Sequence, residues 1–136
     1  MVLTEFKDDV LTDQPEPIPA EVAMVMSALE AGTTSEHLES RRMRRFSYRT
    51  AGQIRLFRDG PTTPGRLLYT RDINRRGVGF VTAHRLPLGY GGVLQLADEN
   101  GRTTDVHCTL LRCREAAPGW FEGSAVFNRD QPQFDR

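Results

Sequence analysis

Residues 91–127, GGVLQLADENGRTTDVHCTLLRCREAAPGWFEGSAVF, hold three apolar runs separated by two turn signals. Val93, Leu94 and Leu96 make the first run. Asn100-Gly101 follows, and we expect a type I′ hairpin there, since that turn needs positive φ at both central residues. In the second run Val106, Cys108 and Leu110 alternate with Asp105, His107 and Thr109. In the third, past the Pro118-Gly119 turn, Phe121, Gly123, Ala125 and Phe127 alternate with Glu122 and Ser124. A period of two gives each strand one buried face and one polar, outward face.

Upstream the same grammar repeats. Val78, Phe80 and Val81 form a run after Gly77, and Leu67 to Tyr69 and Ile54 to Phe57 form two more. Asp59-Gly60-Pro61, Pro64-Gly65 and Gly89-Tyr90-Gly91-Gly92 interrupt them with residues that break pairing. Six short antiparallel strands remove their unpaired edges best by closing on themselves, so the expected fold is all-β, a six-stranded antiparallel barrel. Trp120, opening the last strand, reads as a core or rim packing residue.

The rest of the chain divides around that barrel. Residues 1–18, with Pro15-Glu16-Pro17 and few apolar side chains, are expected to be a flexible acidic tail. Residues 19–37 form a helical extension: Val22, Val25, Met26 and Leu29 recur at i, i+3, i+4, i+7, after Pro19 and before Gly32. That stripe is expected to dock on the domain's own barrel, with a homodimer through it as the other use. Thr33 and Glu36 have capping-box spacing for a short second helix. The barrel is assigned to residues 38–130 and a C-terminal tail to 131–136.

The formal net charge of +0 conceals an asymmetry: residues 1–40 carry nine acids and one base, Lys7, whereas residues 41–136 carry seventeen arginines and nine acids. Arginine's forked guanidinium suits bidentate contacts to phosphate and to the N7/O6 edge of guanine. The N-terminus has neither a basic n-region nor an apolar core of a signal peptide, and no apolar run reaches membrane-spanning length, so a cytoplasmic protein with no membrane partner is expected. Cys108 and Cys113 lie five apart in one strand, which places them on opposite faces as plain thiols. The scattered His37, His84 and His107 give no zinc-ligand spacing, so neither metal nor cofactor is expected.

Two motifs carry the chemistry. Arg41-Arg42-Met43-Arg44-Arg45-Phe46 contains R-x-x-x-R, and Asp72-Ile73-Asn74-Arg75-Arg76-Gly77 reads D-x-N-x-x-G. Their order, with Leu86-Pro87-Leu88-Gly89 ahead of an apolar strand, resembles the PilZ domain, the bacterial receptor module for cyclic di-GMP. The resemblance covers about residues 38–130. In that family R-x-x-x-R precedes the first strand and [D/N]-x-S-x-x-G ends the second, together enclosing the dinucleotide against the outside of a six-stranded barrel. The resemblance implies that Arg41, Arg45, Asp72 and Gly77 bind cyclic di-GMP. Asn74 stands where serine is usual and is kept as a contact, with Arg42, Arg44, Phe46, Arg75 and Arg76 as further candidates.

The residues support the same chemistry in their own right. A guanidinium can pair with phosphate, chelate N7/O6 or stack on a base, and a carboxylate can accept from guanine N1–H and N2–H2. Gly77 is expected to supply permissive φ at a turn. The expected function is a second-messenger sensor in bacterial signalling, in which the arginine segment folds over the nucleotide and alters a surface read by a downstream protein. The alternative is a PilZ-like protein-interaction adaptor that binds no nucleotide. Single-stranded nucleic acid ranks last, because the strands lack an exposed row of stacking aromatics. Nothing pairs a nucleophile with a general base, so the chain is not expected to be an enzyme.

Overall fold

The computed structural model describes residues 18–31, 45–60, 62–97 and 100–134. Helix α1 (Ala20–Ala31) precedes seven strands: β1 (Phe46–Ser47), β2 (Ala51–Leu56), β3 (Arg66–Ile73), β4 (Gly77–Thr82), β5 (Gly91–Ala97), β6 (Thr103–Ala117) and β7 (Trp120–Phe127). Strands β2 to β7 pair antiparallel in the order β3-β2-β5-β6-β7-β4, and β4 pairs back onto β3 to close the ring. This is the expected six-stranded barrel. The short β1 is added outside it on β3, through Phe46↔Ile73 and Ser47↔Asp72.

Period-two patterning fills the interior. Ile54, Leu56, Leu68, Phe80, Leu94 and Leu110 are each 1% exposed or less and belong to one core cluster. One end of the barrel is plugged by aromatic rings: Phe134 lies 5.9 Å from Tyr48 and 6.1 Å from Phe127 between centroids. Tyr48 also donates its hydroxyl to the Ala97 carbonyl. Phe134 sits in a 3-10 turn, Pro132–Phe134, so the packed domain continues past residue 130, where a C-terminal tail was expected.

The helix docks as its stripe predicts. Val22, Val25 and Met26 are buried against Val81, with Leu29, Tyr69, Ala117 and Trp120 packed around them. Trp120 donates Nε1–H to Glu21 Oε2 at 2.8 Å, and Arg49 pairs with Glu30 at 2.6 Å. A homodimer through this stripe would first have to lift it off Val81. The capping-box pair Thr33 and Glu36 lies outside the described residues.

Three local expectations are corrected. The hairpin between β5 and β6 forms, with Ala97 opposite Thr103, and Gly101 has φ +82. No described non-glycine residue has positive φ, so Asn100 does not, and the longer loop is not type I′. Phe57 leaves β2 for a 3-10 turn. Cys113 does not face away from Cys108: β6 has a bulge between Leu110 and Arg112, which resets the alternation, and Cys113 packs against the core that buries Cys108. Both thiols are free. Among the described residues no helix is long and apolar enough to cross a membrane.

Burial pushes the Cys108 thiol up to about 12. An unfolded thiol ionises near pH 8.5, so above that value the unfolded chain releases a proton that the native chain keeps, and stability falls by about 1.4 kcal/mol per pH unit until about pH 12. Urea unfolding under reducing conditions at pH 8 and pH 10 should show this loss in the wild type and a correspondingly smaller one in Cys108→Ala. Equal losses in the two proteins would contradict it.

Candidate functional site

Strand β4 is buried along its whole length. Val78 and Phe80 point into the barrel, so Gly77, Gly79 and Val81 point outward. Helix α1 covers Val81. The two glycines leave a shallow saddle beside it, and the Arg45 guanidinium lies over them. A Cβ built on Gly77 would stand 3.2 Å from Arg45 Nη2, and one on Gly79 would stand 3.4 Å from Arg45 Nη1. Arg45 Nη1 donates to Asp72 Oδ1 at 3.4 Å, joining residues 27 positions apart.

Strand irregularities extend this pair across the barrel's outer wall. The β3–β4 register shifts between Thr70 and Asp72, so Arg71 is the extra residue of a bulge and turns to the same side as Asp72. Its Nε comes within 3.3 Å of Asp72 Oδ2 without a hydrogen bond along the N–H axis. Its Nη2 reaches to 4.0 Å from Glu122 Oε2 on β7. The bulge in β6 likewise brings Arg112 opposite Ser124 on the outer face. Arg112 holds Glu122 by two approaches, Nε to Oε1 at 2.8 Å and Nη2 to Oε2 at 3.1 Å, and Arg114 Nε donates to Oε1 at 2.9 Å.

The result is a continuous ionic band, Arg45–Asp72–Arg71–Glu122–Arg112/Arg114, running from the residue before β1 across β3 and β7 to β6. Among the described residues, four guanidinium groups face two carboxylates in this band, a formal excess of two positive charges. Glu122 is only 2% exposed, whereas the Arg114 side chain is 70% exposed, so the negative charge lies beneath and cationic N–H groups lie at the surface. Such a wall attracts anions. The sequence alternation placed Glu122 and Ser124 on a solvent face, but both are buried. The wall that carries them is covered by arginines and, at Val81, by the helix.

The expected site residues divide into groups. Arg45, Asp72 and Gly77 come together as the motif implies. Gly77 has no positive φ, however, and starts a strand instead of forming the turn. Glycine is required there by space: its Cβ would lie 2.7 Å from the Ala125 carbonyl oxygen. Asn74 is 4% exposed, and its Oδ1 accepts from the Arg76 and Gly77 amides at 2.7 and 3.0 Å, forming the cap of the β3–β4 turn. Arg75 and Arg76 both approach Asp130, at 3.2 and 3.9 Å. Phe46 is half-buried on β1. Arg41, Arg42 and Arg44 lie outside the described residues.

Sequence reading missed Arg71, Arg112, Arg114 and Glu122. The i, i+2 spacing of Arg112 and Arg114 in a long strand was a usable sign that they share a face; the bulge that sets Arg71 and Asp72 side by side on one face left no comparable mark. Comparison with family models, with curated proteins and with solved structures gives no match.

The two glycines separate fold from site. In Gly77→Ala the new methyl meets a backbone carbonyl, and overpacking of this kind costs about 1–3 kcal/mol. In Gly79→Ala it comes 2.7 Å from Asp72 Oδ1, the end of a side chain that can move. Thermal unfolding should therefore show a clear loss for Gly77→Ala and a smaller one for Gly79→Ala, while NMR of the Arg45 side chain should report displacement from Asp72 in Gly79→Ala. A larger loss of stability in Gly79→Ala than in Gly77→Ala would contradict this assignment.

Proposed function

We propose that the protein is a cyclic di-GMP receptor of the PilZ type, with the dinucleotide lying on the outer wall of the barrel. The observation that supports this most strongly is the meeting of Arg45 and Asp72 over Gly77 and Gly79. The glycine floor lets the Arg45 guanidinium lie flat on the wall, where its outer face can stack on a base or its edge grip phosphate, and the carboxylate beside it can accept from guanine N1–H and N2–H2. Asp72 already engages Arg45 and Arg71, yet a carboxylate has about four lone-pair sites and retains capacity for a base edge. The excess of arginines around Glu122 provides attraction for the two phosphates of the ligand.

A route to a conformational signal follows from two short connections. Arg45 belongs to the site, and Arg49, four residues on, pairs with Glu30 of α1. Gly79 forms the saddle, and Val81, two residues on, is the anchor for the helix. A ligand that draws Arg45 off Asp72 would pull on the segment leading to Arg49 and so bias how α1 sits, changing a surface available to a downstream partner. The nucleotide-independent adaptor remains as the second reading, favoured by Asn74, whose Oδ1 is engaged by the turn.

Titration calorimetry with cyclic di-GMP, cyclic di-AMP and GTP tests these readings. Only cyclic di-GMP should bind tightly, and Arg45→Ala and Asp72→Ala should each weaken it by roughly tenfold or more, the equivalent of one bidentate contact. Arg114→Ala should weaken it less and reduce its salt dependence. Absence of heat with any of the three ligands would favour the adaptor.

A further inference from the structure

We propose a second, separate binding site at the mouth of the barrel, for a small anionic amphiphile: a carboxylate or phosphate head on a short apolar body. The two ends of the barrel are finished differently. The end near Phe134 is plugged by aromatic rings. At the opposite end the segment between β4 and β5 crosses the opening and inserts Leu86, which is 2% exposed. Beside Leu86 lies a cleft of about 540 Å³. This size falls within the usual range for small-ligand sites, about 300–1,000 Å³, and barrel mouths are among the places where such sites occur.

The cleft has two chemically distinct sides. Leu56, Leu86, Pro87 and Leu88 form an apolar side. Arg58, Arg66 and Arg85 line it as well, with Asp59 the single carboxylate. Asp59 is shared between Arg58 at 3.6 Å and Arg66 at 3.4 Å, and among the described residues no carboxylate pairs with Arg85. The formal excess is two positive charges. Two of the guanidinium groups rest on aromatic rings, Arg58 over Tyr90 at 5.0 Å and Arg85 over Phe121 at 4.8 Å. Stacking restrains the guanidinium plane and leaves the N–H edges free to meet an anion. Leu88, at 55% exposure, remains uncovered next to them. An acid head on the arginines with an apolar body along Pro87 and Leu88 matches both sides; a cation is repelled, and a neutral apolar molecule leaves the arginines unused.

Cys113 lines this cleft and serves as its reporter, because Cys108 is buried with its thiol pushed up to about 12. The experiment is alkylation of the full chain by neutral iodoacetamide, read by mass spectrometry at Cys113, with octanoate, octyl phosphate, octanol or octylammonium present below micelle-forming concentrations. Amide shifts of Leu86 and Leu88 report the same occupancy by NMR. Octanoate or octyl phosphate should slow Cys113 alkylation saturably, by about fivefold or more, since bound ligand shields the thiol in proportion to occupancy. Which of the two binds better distinguishes carboxylate from phosphate. The double variant Arg66→Ala/Arg85→Ala should lose the protection while retaining the cyclic di-GMP response of the outer wall, so the two sites stand or fall separately. Protection and shifts absent with both anions would overturn the proposal. So would equal effects from octanol and octylammonium, which indicate apolar partitioning only, or protection by an acidic peptide when neither small acid has any effect, which indicates a macromolecular partner.

Discussion

A carboxylate buried on the outside of a closed barrel must be neutralised where it stands, and Glu122 sets this condition for the whole outer wall. Leaving an ionised group in so dry a position without partners would cost several kcal/mol. Arg71, Arg112 and Arg114 converge on it, and Arg71 also reaches Asp72, which Arg45 approaches from the other side. The acid thus gathers more positive charge than it cancels. Removing one cation from such a band changes the charge seen by all the others, so these arginines are coupled as a unit and their contributions are not additive.

The geometry that permits this depends on where the strands depart from regularity. In β3 the alternation through Leu68 and Thr70 already turns Arg71 outward, and the extra residue keeps Asp72 on that same side instead of sending it into the barrel. The bulge in β6 turns Arg112 outward after the exposed Leu111 and simultaneously swings Cys113 back toward the core. The glycines of β4 then keep the middle of the wall low enough for Arg45 to lie across it. Helix α1 covers the adjoining part of that wall, and both the site and the helix rest on β4.

The barrel was readable because its strands alternate cleanly and its turns are marked by glycine and proline. The helix was readable from a three-and-four spacing whose members, Val22, Val25 and Met26, do bury. The core of the candidate site was readable as two motifs, since Arg45 and Asp72 meet despite their separation in sequence. What escaped is what periodicity cannot encode. A bulge shifts every later residue by one place, so Cys113 was assigned to the wrong face. The polar residues of β7 were taken as solvated because nothing local announces that arginines from β3 and β6 will cover them. Asn74 and Gly77 have the motif's spacing but act in backbone geometry, one capping a turn and the other making room for Ala125.

Whether the arginine band acts as one ligand-binding unit is read most directly by a side-chain Nε–Hε NMR titration of the arginines with cyclic di-GMP. Signals of Arg45, Arg71, Arg112 and Arg114 should move together and saturate at one ligand concentration, while those of Arg58, Arg66 and Arg85 stay in place. Outer-wall signals that remain fixed at saturating nucleotide, or shifts confined to the arginines of the barrel mouth, would contradict it.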